Sequence, residues 1–239
     1  MRTNFDKQLN ELNEELTEMG AMCETAISTV ADVLVGGGTS LQDYPADVLL
    51  GGDTDMLGAV HETAAQIDQM EHDVEEKCLR LILRQQPVAR DLRTVSSALK
   101  MVYDIHRIGD QAADVADIMQ FMDAPIETGS LHIGEMAHAT IKMVNESIDS
   151  FVQKDYEKAN GVVAYDDVVD DLFDKVKCEI TELIRSSGAD AQMCLDLLMT
   201  AKYFERIGDH AVNIAEWVKF SITGKHETEQ HTAKKSDTI

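Results

Sequence analysis

Proline and aromatic residues are scarce in this chain. Its 239 residues include 3 prolines, and aromatic side chains make up 5% of the total. Strands are enriched in β-branched and aromatic residues, whereas Met, Leu, Ala and Glu favour helices. With 12 methionines and 44% hydrophobic residues, the composition predicts a folded, helical protein.

Basic residues and long apolar runs are also few. The chain has 21 Lys and Arg against 44 Asp and Glu, a net charge of −23. Nucleic acid binding needs clusters of basic residues, so we exclude nucleic acid as a partner. No apolar run approaches the roughly 20 residues that span a bilayer, and the first residues lack the apolar core of a signal peptide. We therefore expect a cytoplasmic protein without direct membrane insertion.

The four cysteines form neither a Cys-x-x-Cys pair nor a zinc-finger spacing. Each lies in an apolar helical pattern, which predicts buried free thiols in a reducing cytoplasm. These cysteines are Cys23, Cys78, Cys178 and Cys194.

Apolar spacing and helix breakers predict six long helices. We expect Pro87 to be the first residue of the third helix and Asp190 to cap the sixth. A polar tail, 225–239, is predicted to be disordered. The predicted helices span about 5–35, 56–86, 87–122, 133–153, 156–185 and 190–224.

Two motifs recur at nearly one spacing. Residues 107–110, Arg-Ile-Gly-Asp, return at 206–209, which is 99 residues later, and Ile67-Asp68 matches Val169-Asp170 at an offset of 102. Such agreement indicates a duplication. The predicted fold class is therefore all-α, with two tandem repeats of a three-helix bundle.

We place the first repeat at residues 1–123 and the second at 124–224. The first repeat is longer between its first two helices, in a stretch rich in Gly, Asp, Thr and Ser. We interpret that stretch, about 36–55, as a surface insertion, because a longer loop costs little stability.

Each repeat carries a polar stripe on its third helix, beside the apolar face that is expected to pack the bundle. Carboxylates four residues apart lie one helical turn apart and can share a metal ion. The alternative interpretation is a hydrated outer face. The apolar faces comprise Ile105, Ile108, Ala112 and Val115 in the first repeat and Phe204, Ile207, Ala211, Ile214 and Val218 in the second. The polar stripes comprise His106, Asp110, Asp114 and Asp117, and Glu205, Asp209, Asn213 and Glu216.

Each of these two helices contains a glycine in its middle. Gly109 and Gly208 lie in mid-helix, where glycine costs about 1 kcal/mol relative to alanine. Close approach of a neighbouring helix would explain glycine at both positions.

No enzyme motif is complete. Glu135-x-x-His138 has di-iron spacing but occurs once, whereas a di-iron bundle needs it twice. A Gly-rich phosphate loop is absent from the sequence. We interpret His72 and His210 as surface histidines. The sequence therefore predicts a protein that is not an enzyme.

Three stretches resemble the signature sequences of the PhoU family: residues 86–93, 107–110 and 205–216. The resemblance runs from Phe5 to about Phe220 and implies two three-helix bundles side by side, in a homodimer. It also implies a negative regulator of the phosphate-starvation response and of phosphate uptake. Such a regulator would couple the ATPase subunit of a phosphate ABC transporter to a sensor histidine kinase, at the inner membrane face.

The resemblance further implies metal ions, iron or zinc, on a Glu-x-x-x-Asp motif in each repeat. In the first repeat His106 stands where the pattern expects a carboxylate, and Asp114 restores one carboxylate a turn later. The implied ligands of the first repeat are Asp68, Glu71, His106, Asp110 and Asp114, and those of the second are Asp166, Asp170, Glu205 and Asp209.

Two other functions stay open on the sequence. One is a carboxylate-bridged metal-binding or metal-storage protein, which the single Glu135-x-x-His138 argues against. The other is an accessory regulator of a different ion transporter. Metal content tests the first alternative, and complementation of a PhoU deletion tests the second.

Overall fold

A computed structural model describes residues 2–34, 53–120, 131–187 and 190–225, within which the chain forms six helices and no strand. The helices are α1 (Arg2–Leu34), α2 (Asp53–Gln85), α3 (Arg90–Met119), α4 (Ile133–Gln153), α5 (Tyr156–Ser187) and α6 (Ala191–Thr223). The all-α prediction is confirmed. Most of the predicted insertion and tail, and the predicted boundary between the repeats, lie outside the described residues.

Local sequence sets the ends of α6. Asp190 caps its start, because Oδ1 accepts a hydrogen bond of 3.2 Å from the Gln192 N–H. Gly224, at φ +73°, takes the left-handed conformation that ends helices, and its N–H donates to the Phe220 carbonyl. The capping role predicted for Asp190 is therefore confirmed.

The turn between α2 and α3 differs from the prediction. Gln86 and Ala89 both have φ +48°, in the left-handed region that side chains rarely adopt. A helix cannot continue through such residues, so the predicted start of α3 at Pro87 is wrong. The helix begins at Arg90, and the Arg93 N–H donates back to the Ala89 carbonyl.

The helices form two three-helix bundles that pack side by side. Helix α2 packs on α1 and α3, and α5 packs on α4 and α6. The repeats meet where α3 packs on α6 and α1 on α4. The four helices α1, α3, α4 and α6 therefore lie at the centre, with α2 and α5 outside. None of the helices in the described ranges is long and apolar enough to cross a membrane.

The core is built from the predicted apolar faces. Every residue of the two faces predicted on α3 and α6 is buried. Each fully buried aliphatic or phenyl side chain contributes about 1.5–3 kcal/mol relative to exposure. The largest side chains with almost no exposure include Phe204, Leu12, Leu16, Met19, Ile27 and Ile67.

The four cysteines differ in their exposure to solvent. Cys23, Cys78 and Cys194 are buried free thiols, as predicted. Burial raises the pKa of Cys23 and that of Cys78 to about 12. The prediction for Cys178 is wrong: its thiol is exposed, because it lies on the solvent side of the outer helix α5.

The two mid-helix glycines differ in how closely a neighbour approaches. A Cβ on Gly109 would lie 2.9 Å from Cδ1 of Ile67 on α2, closer than real Cβ contacts allow. A Cβ on Gly208 would lie 3.5 Å from Cγ1 of Val169 on α5, an ordinary contact. Close approach therefore explains the glycine in the first repeat, whereas the second repeat has room for a methyl group.

Helices α3 and α6 contact each other through the buried carboxylate of Asp104, in the middle of α3. Nδ1 of His210 lies 2.9 Å from Oδ1 of Asp104, and Nδ2 of Asn213 donates to the same oxygen at 3.1 Å. His210 is half-buried, so its prediction as a surface histidine is wrong; His72 is exposed, as predicted. Asp104 was not singled out from the sequence, because one acidic residue on an apolar helix carries no motif.

Asp114 lies further along the same contact between the repeats. Partial burial raises the pKa of its carboxyl group, and the negative charge of Asp110 adds to the effect. The charge of Asp114 acts in turn on Tyr203 of α6, whose pKa is raised mainly by burial. The ionised Asp114 therefore destabilises the folded chain at neutral pH.

We expect Gly109→Ala to lower the free energy of unfolding relative to Gly161→Ala by at least about 1 kcal/mol. A Cβ on Gly161 meets nothing within 4 Å, so this control should gain about 0.5–1 kcal/mol from helix propensity. Urea unfolding measures both variants. Ile67→Val removes the clashing methyl group, and its usual cost of about 0.5–1.5 kcal/mol should shrink in the Gly109→Ala background. Additive effects in this double-mutant cycle would contradict the contact.

We expect Asp114→Asn to raise the Tm of chelator-treated protein at pH 7. Because the pKa of Asp114 is higher in the folded than in the unfolded state, ionisation destabilises the fold above that pKa. The penalty disappears below the carboxyl range, so the gain in Tm should shrink as the pH falls toward 4. Asp171→Asn, at an exposed position on α5, is the control. A gain that is constant with pH would refute the electrostatic explanation.

Candidate metal centres

The first candidate centre lies where α2 packs on the helical turn of α3 that contains Gly109. Ile67 packs on Gly109, so the next residue in each helix, Asp68 and Asp110, comes to the same side of the contact. His106 lies between them: its Nε2 is 3.4 Å from Oδ1 of Asp68 and 3.4 Å from Oδ1 of Asp110. Helices α2 and α3 thus each place one carboxylate beside the same imidazole nitrogen.

Glu71 approaches the other side of the same imidazole. Its Oε2 lies 3.1 Å from Nδ1 of His106, an ion-pair distance that lacks hydrogen-bond geometry. The His106 side chain is 18% exposed and that of Glu71 11%. Burial raises the pKa of Glu71, and His106 acts in the opposite direction. A metal-binding histidine usually donates a hydrogen bond from its other ring nitrogen to a carboxylate, and Glu71 lies on the side of Nδ1 where such a partner would stand.

Arg107 completes the surroundings of Asp110. Nη1 of Arg107 lies 2.5 Å from Oδ2 of Asp110, whereas Oδ1 faces His106. The guanidinium therefore holds the Asp110 carboxylate with one oxygen directed to the centre.

His72, which the sequence predicts to be a surface histidine rather than a ligand, is exposed and stands beside two carboxylates of α2. One ligand atom each from Asp68, Glu71 and His72 lie within 4.8 Å of one another. Nδ1 of His72 lies 2.9 Å from the backbone oxygen of Asp68, one helical turn earlier. The spacing Asp68-x-x-x-His72 was the signal that could have identified it, since both side chains lie on one face of α2.

Within the described residues, the donor atoms that lie within 4.8 Å of one another belong to Asp68, Glu71 and His72; Asp114 is outside this set, and so are His106 and Asp110. It lies at the contact with α6, where its charge acts on Tyr203 and is partly offset by Arg206. Position 114 is one turn beyond Asp110, and the packing of α3 on α6 accounts for its surroundings.

The second centre has the same scaffold and different donors. Val169 of α5 packs at Gly208 of α6, and Oδ1 of Asp166 lies 3.8 Å from the position that a Gly208 Cβ would take. Asp170 follows Val169 and Asp209 follows Gly208, so both carboxylates lie at the level of this contact. Asp166, Asp170 and Asp209 are half-buried.

Glu205 lies one turn before Asp209 and is 6% exposed. A hydrated outer face is therefore wrong for this residue, because α5 covers this part of α6. The contact between α5 and α6 at this level includes Lys202, whose Nζ lies 5.4 Å from the centroid of the Phe173 ring of α5. The same Nζ is 2.5 Å from Oε2 of Glu205, so the buried carboxylate has a cationic partner.

The two donor sets suit metal ions in different ways. The first centre combines imidazole nitrogen with carboxylate oxygen, a combination that suits zinc or iron. The second offers four carboxylates, because Glu205 replaces His106 at the offset of 99. At the offset of 102, Phe173 replaces Glu71. Among the residues that the structure describes, donor atoms that lie within 4.8 Å of one another occur in the first repeat, on Asp68, Glu71 and His72, and the first repeat also has the softer donor.

Known proteins resemble this chain over most of its length. The PhoU domain matches residues 43–119 and 133–218. A protein of Clostridium acetobutylicum named phosphate-specific transport system accessory protein PhoU homolog is 31% identical over 226 residues, covering 94% of this chain and 96% of its own. A homolog of the same name from Pseudomonas aeruginosa is 30% identical and covers 92% of this chain and 86% of its own.

Solved structures share the fold. The crystal structure of PhoU from Pseudomonas aeruginosa superposes with a TM-score of 0.75 at 30% identity, covering 92% of this chain and all of that one. PhoU from Streptococcus pneumoniae, a phosphate transport system regulatory protein, gives a TM-score of 0.77 at 22% identity, over 93% of this chain and 98% of that one, and supports the fold alone. With a domain match in each repeat and relatives similar over nearly their full length, this chain belongs to the PhoU family.

Proposed function

We propose that this chain is an accessory protein of phosphate transport that negatively regulates phosphate uptake and the phosphate-starvation response. The observation that carries the proposal is the PhoU domain match in both repeats, 43–119 and 133–218. Relatives similar over nearly the whole chain are named phosphate-specific transport system accessory proteins. In this proposal the chain is an adaptor at the cytoplasmic face of the membrane, held there by its partners.

The proposed partners are the ATPase subunit of a phosphate ABC transporter and a sensor histidine kinase. An adaptor needs two separate surfaces, and a pair of side-by-side bundles provides them. The net charge of −23 suits docking on a basic partner surface, where complementary charge accelerates association. We propose a homodimer as the working unit.

We propose binding rather than catalysis as the chemical role. The side chains that converge between helices form ion pairs, such as His106 with Asp68 and Lys202 with Glu205, and are of the types that bind metal ions. Carboxylates gathered in a half-buried place repel one another, and a bound cation offsets that repulsion.

We propose that each repeat binds iron or zinc between its second and third helices. Asp68, His106 and Asp110, with His72 at the edge, would hold the ion of the first repeat, and Glu71 would orient the imidazole. Asp166, Asp170, Glu205 and Asp209 would hold that of the second. A bound ion would fix the outer helix of each bundle to the central one, and thereby fix the surface that a partner meets.

We expect the protein, purified without tag or chelator, to contain stoichiometric iron or zinc by elemental analysis. Asp110→Asn should lose the ion of the first repeat and Asp209→Asn that of the second, because each removes a charged oxygen ligand while keeping the side-chain volume. The double variant should lose both ions. Asp171→Asn, at an exposed position of α5, should retain the wild-type content.

Wild-type protein without bound metal would refute the metal proposal and leave the adaptor proposal in place. A metal content far above the number of centres would favour a storage protein instead. The circular dichroism spectrum of each variant checks that the helices remain.

Complementation tests the regulatory role. In a strain that lacks its own PhoU protein and grows in high phosphate, we expect expression of this chain to lower the output of a phosphate-starvation reporter toward the wild-type level. An empty vector is the control. A reporter that stays at the level of the deletion strain, although the chain is expressed and folded, would contradict the proposal and favour a regulator of another transporter.

A further inference from the structure

A groove lies where α2, α3 and α6 come together, and its lining residues differ from the proposed metal ligands. It has a volume of about 670 Å³, and Leu79, Tyr103 and Trp217 are among the side chains that line it. Leu79 is 50% exposed and Tyr103 is 55% exposed, so the groove is open to solvent. Large apolar side chains that stand half exposed in one groove are typical of a surface that a partner covers.

Trp217, the only tryptophan of the chain, is held in place on one side of this groove. Its ring is half-buried and packs edge-on against Phe220, with 5.8 Å between the ring centroids and 88° between the ring planes. A ring that is fixed before binding loses little entropy when a ligand stacks on it. Among the aromatic side chains, tryptophan also attracts a cation over its face most strongly.

The groove carries more negative than positive charge. Glu75, Asp104 and Glu216 contribute three carboxylates, and Lys100 contributes one ammonium group. Asp104 is engaged in the contact between the repeats, where its Oδ1 accepts a hydrogen bond from Asn213. In the part of the chain that the structure describes, neither Glu75 nor Glu216 has a basic side chain within ion-pair distance. Their charges therefore remain for a cation that enters the groove.

The duplication supplies an internal comparison for this groove. Helices α3 and α6 pack antiparallel, so α5, α6 and α3 provide the equivalent position in the second repeat. One acidic residue is kept there, because Asp117 stands where Glu216 does. The aromatic rings and the other carboxylate are replaced at the offsets of 99 and 102: Lys202 corresponds to Tyr103, Ile118 to Trp217 and Lys177 to Glu75. The fold alone therefore does not demand an aromatic, acidic groove.

Aromatic rings beside unpaired carboxylates suit the side chain of arginine. A guanidinium group stacks on the face of Trp or Tyr, and it binds a carboxylate through two parallel hydrogen bonds. A nucleotide fits less well, because its phosphates would meet the charges of Glu75 and Glu216. A wholly apolar ligand would cover both carboxylates without pairing them, which costs free energy.

We propose that this groove is the docking site for an arginine-bearing segment of the ATPase subunit of the phosphate transporter. One arginine would lie against Trp217 and Tyr103 and pair with Glu75 or Glu216. The inference rests on the function proposed above and adds the site and its chemistry. It assigns the groove to the ATPase subunit because an accessory protein of transport has to contact the transporter, and the ATPase is the cytoplasmic subunit.

The test measures binding of the full chain to the purified ATPase subunit from the same organism, by isothermal titration calorimetry. We expect Tyr103→Ser combined with Glu216→Lys to weaken the complex by about tenfold or more, because a stacking surface and an ion pair are lost together. Tyr103→Phe keeps the ring and should bind within about twofold of wild type.

The matched control is Leu195→Ser combined with Glu18→Lys. Leu195 is 57% exposed, close to the value for Tyr103, and Glu18 is exposed on α1. The control changes the net charge equally and should leave the affinity within about twofold of wild type. All these positions are exposed, so the variants should fold, and circular dichroism with thermal unfolding checks this.

Trp217 gives a direct readout of the groove. A chain labelled with 5-fluorotryptophan has one ¹⁹F resonance, because it contains one tryptophan. Unlabelled ATPase subunit should move the chemical shift of this resonance in the wild-type chain and in the control. Binding elsewhere would broaden the resonance through slower tumbling and leave its position unchanged, which would contradict the proposal.

The other outcomes separate the groove from the proposed function. An unchanged affinity of the groove variant, or an equal loss in the control, would overturn the groove alone. A chain that complements the PhoU deletion without binding the ATPase subunit would overturn the groove and leave regulation in place, whereas failure of both would overturn the proposed function as well. Loss of the dimer in sedimentation, with the affinity for the ATPase unchanged, would overturn the proposal and assign the groove to a second copy of this chain.

Discussion

The packing of an outer helix on the glycine turn of a central helix determines where the donors of each repeat lie. Ile67 occupies the space that a side chain on Gly109 would fill, and this contact sets how α2 and α3 lie along one another. Asp68 and Asp110 are the next residues in each helix, so they meet beside His106 because the apolar contact brings them there. Hydrophobic burial thus supplies the free energy that gathers like charges, and an ion would offset the remaining repulsion.

Duplication preserved this scaffold while the donors changed. The second repeat keeps the glycine turn and the aspartates on both sides of it, but a Cβ at Gly208 would meet only ordinary contacts. Glu205 there is buried and paired with Lys202, whereas the equivalent His106 lies among carboxylates of α2. The same architecture therefore carries two chemically different sets of candidate donors.

The contact between the two repeats includes buried polar side chains. Asp104 accepts from Asn213 and contacts His210 across the contact of α3 with α6. Such a buried pair fixes the alignment of two bundles more than it adds stability, because a shifted alignment would leave the carboxylate unpaired.

The sequence by itself determined the helices, the duplication and the family. Apolar periodicity predicted each helix end to within three residues, because the period of 3.6 residues and the capping residues are local properties. Tertiary structure alone decided what lies between helices. It buried Glu205 under α5, paired His210 with Asp104, placed His72 beside Asp68 and Glu71 and exposed Cys178. Helical periodicity gives the face on which a side chain lies, whereas its burial and its partners depend on which helix packs on that face, and that information comes from residues distant in the chain.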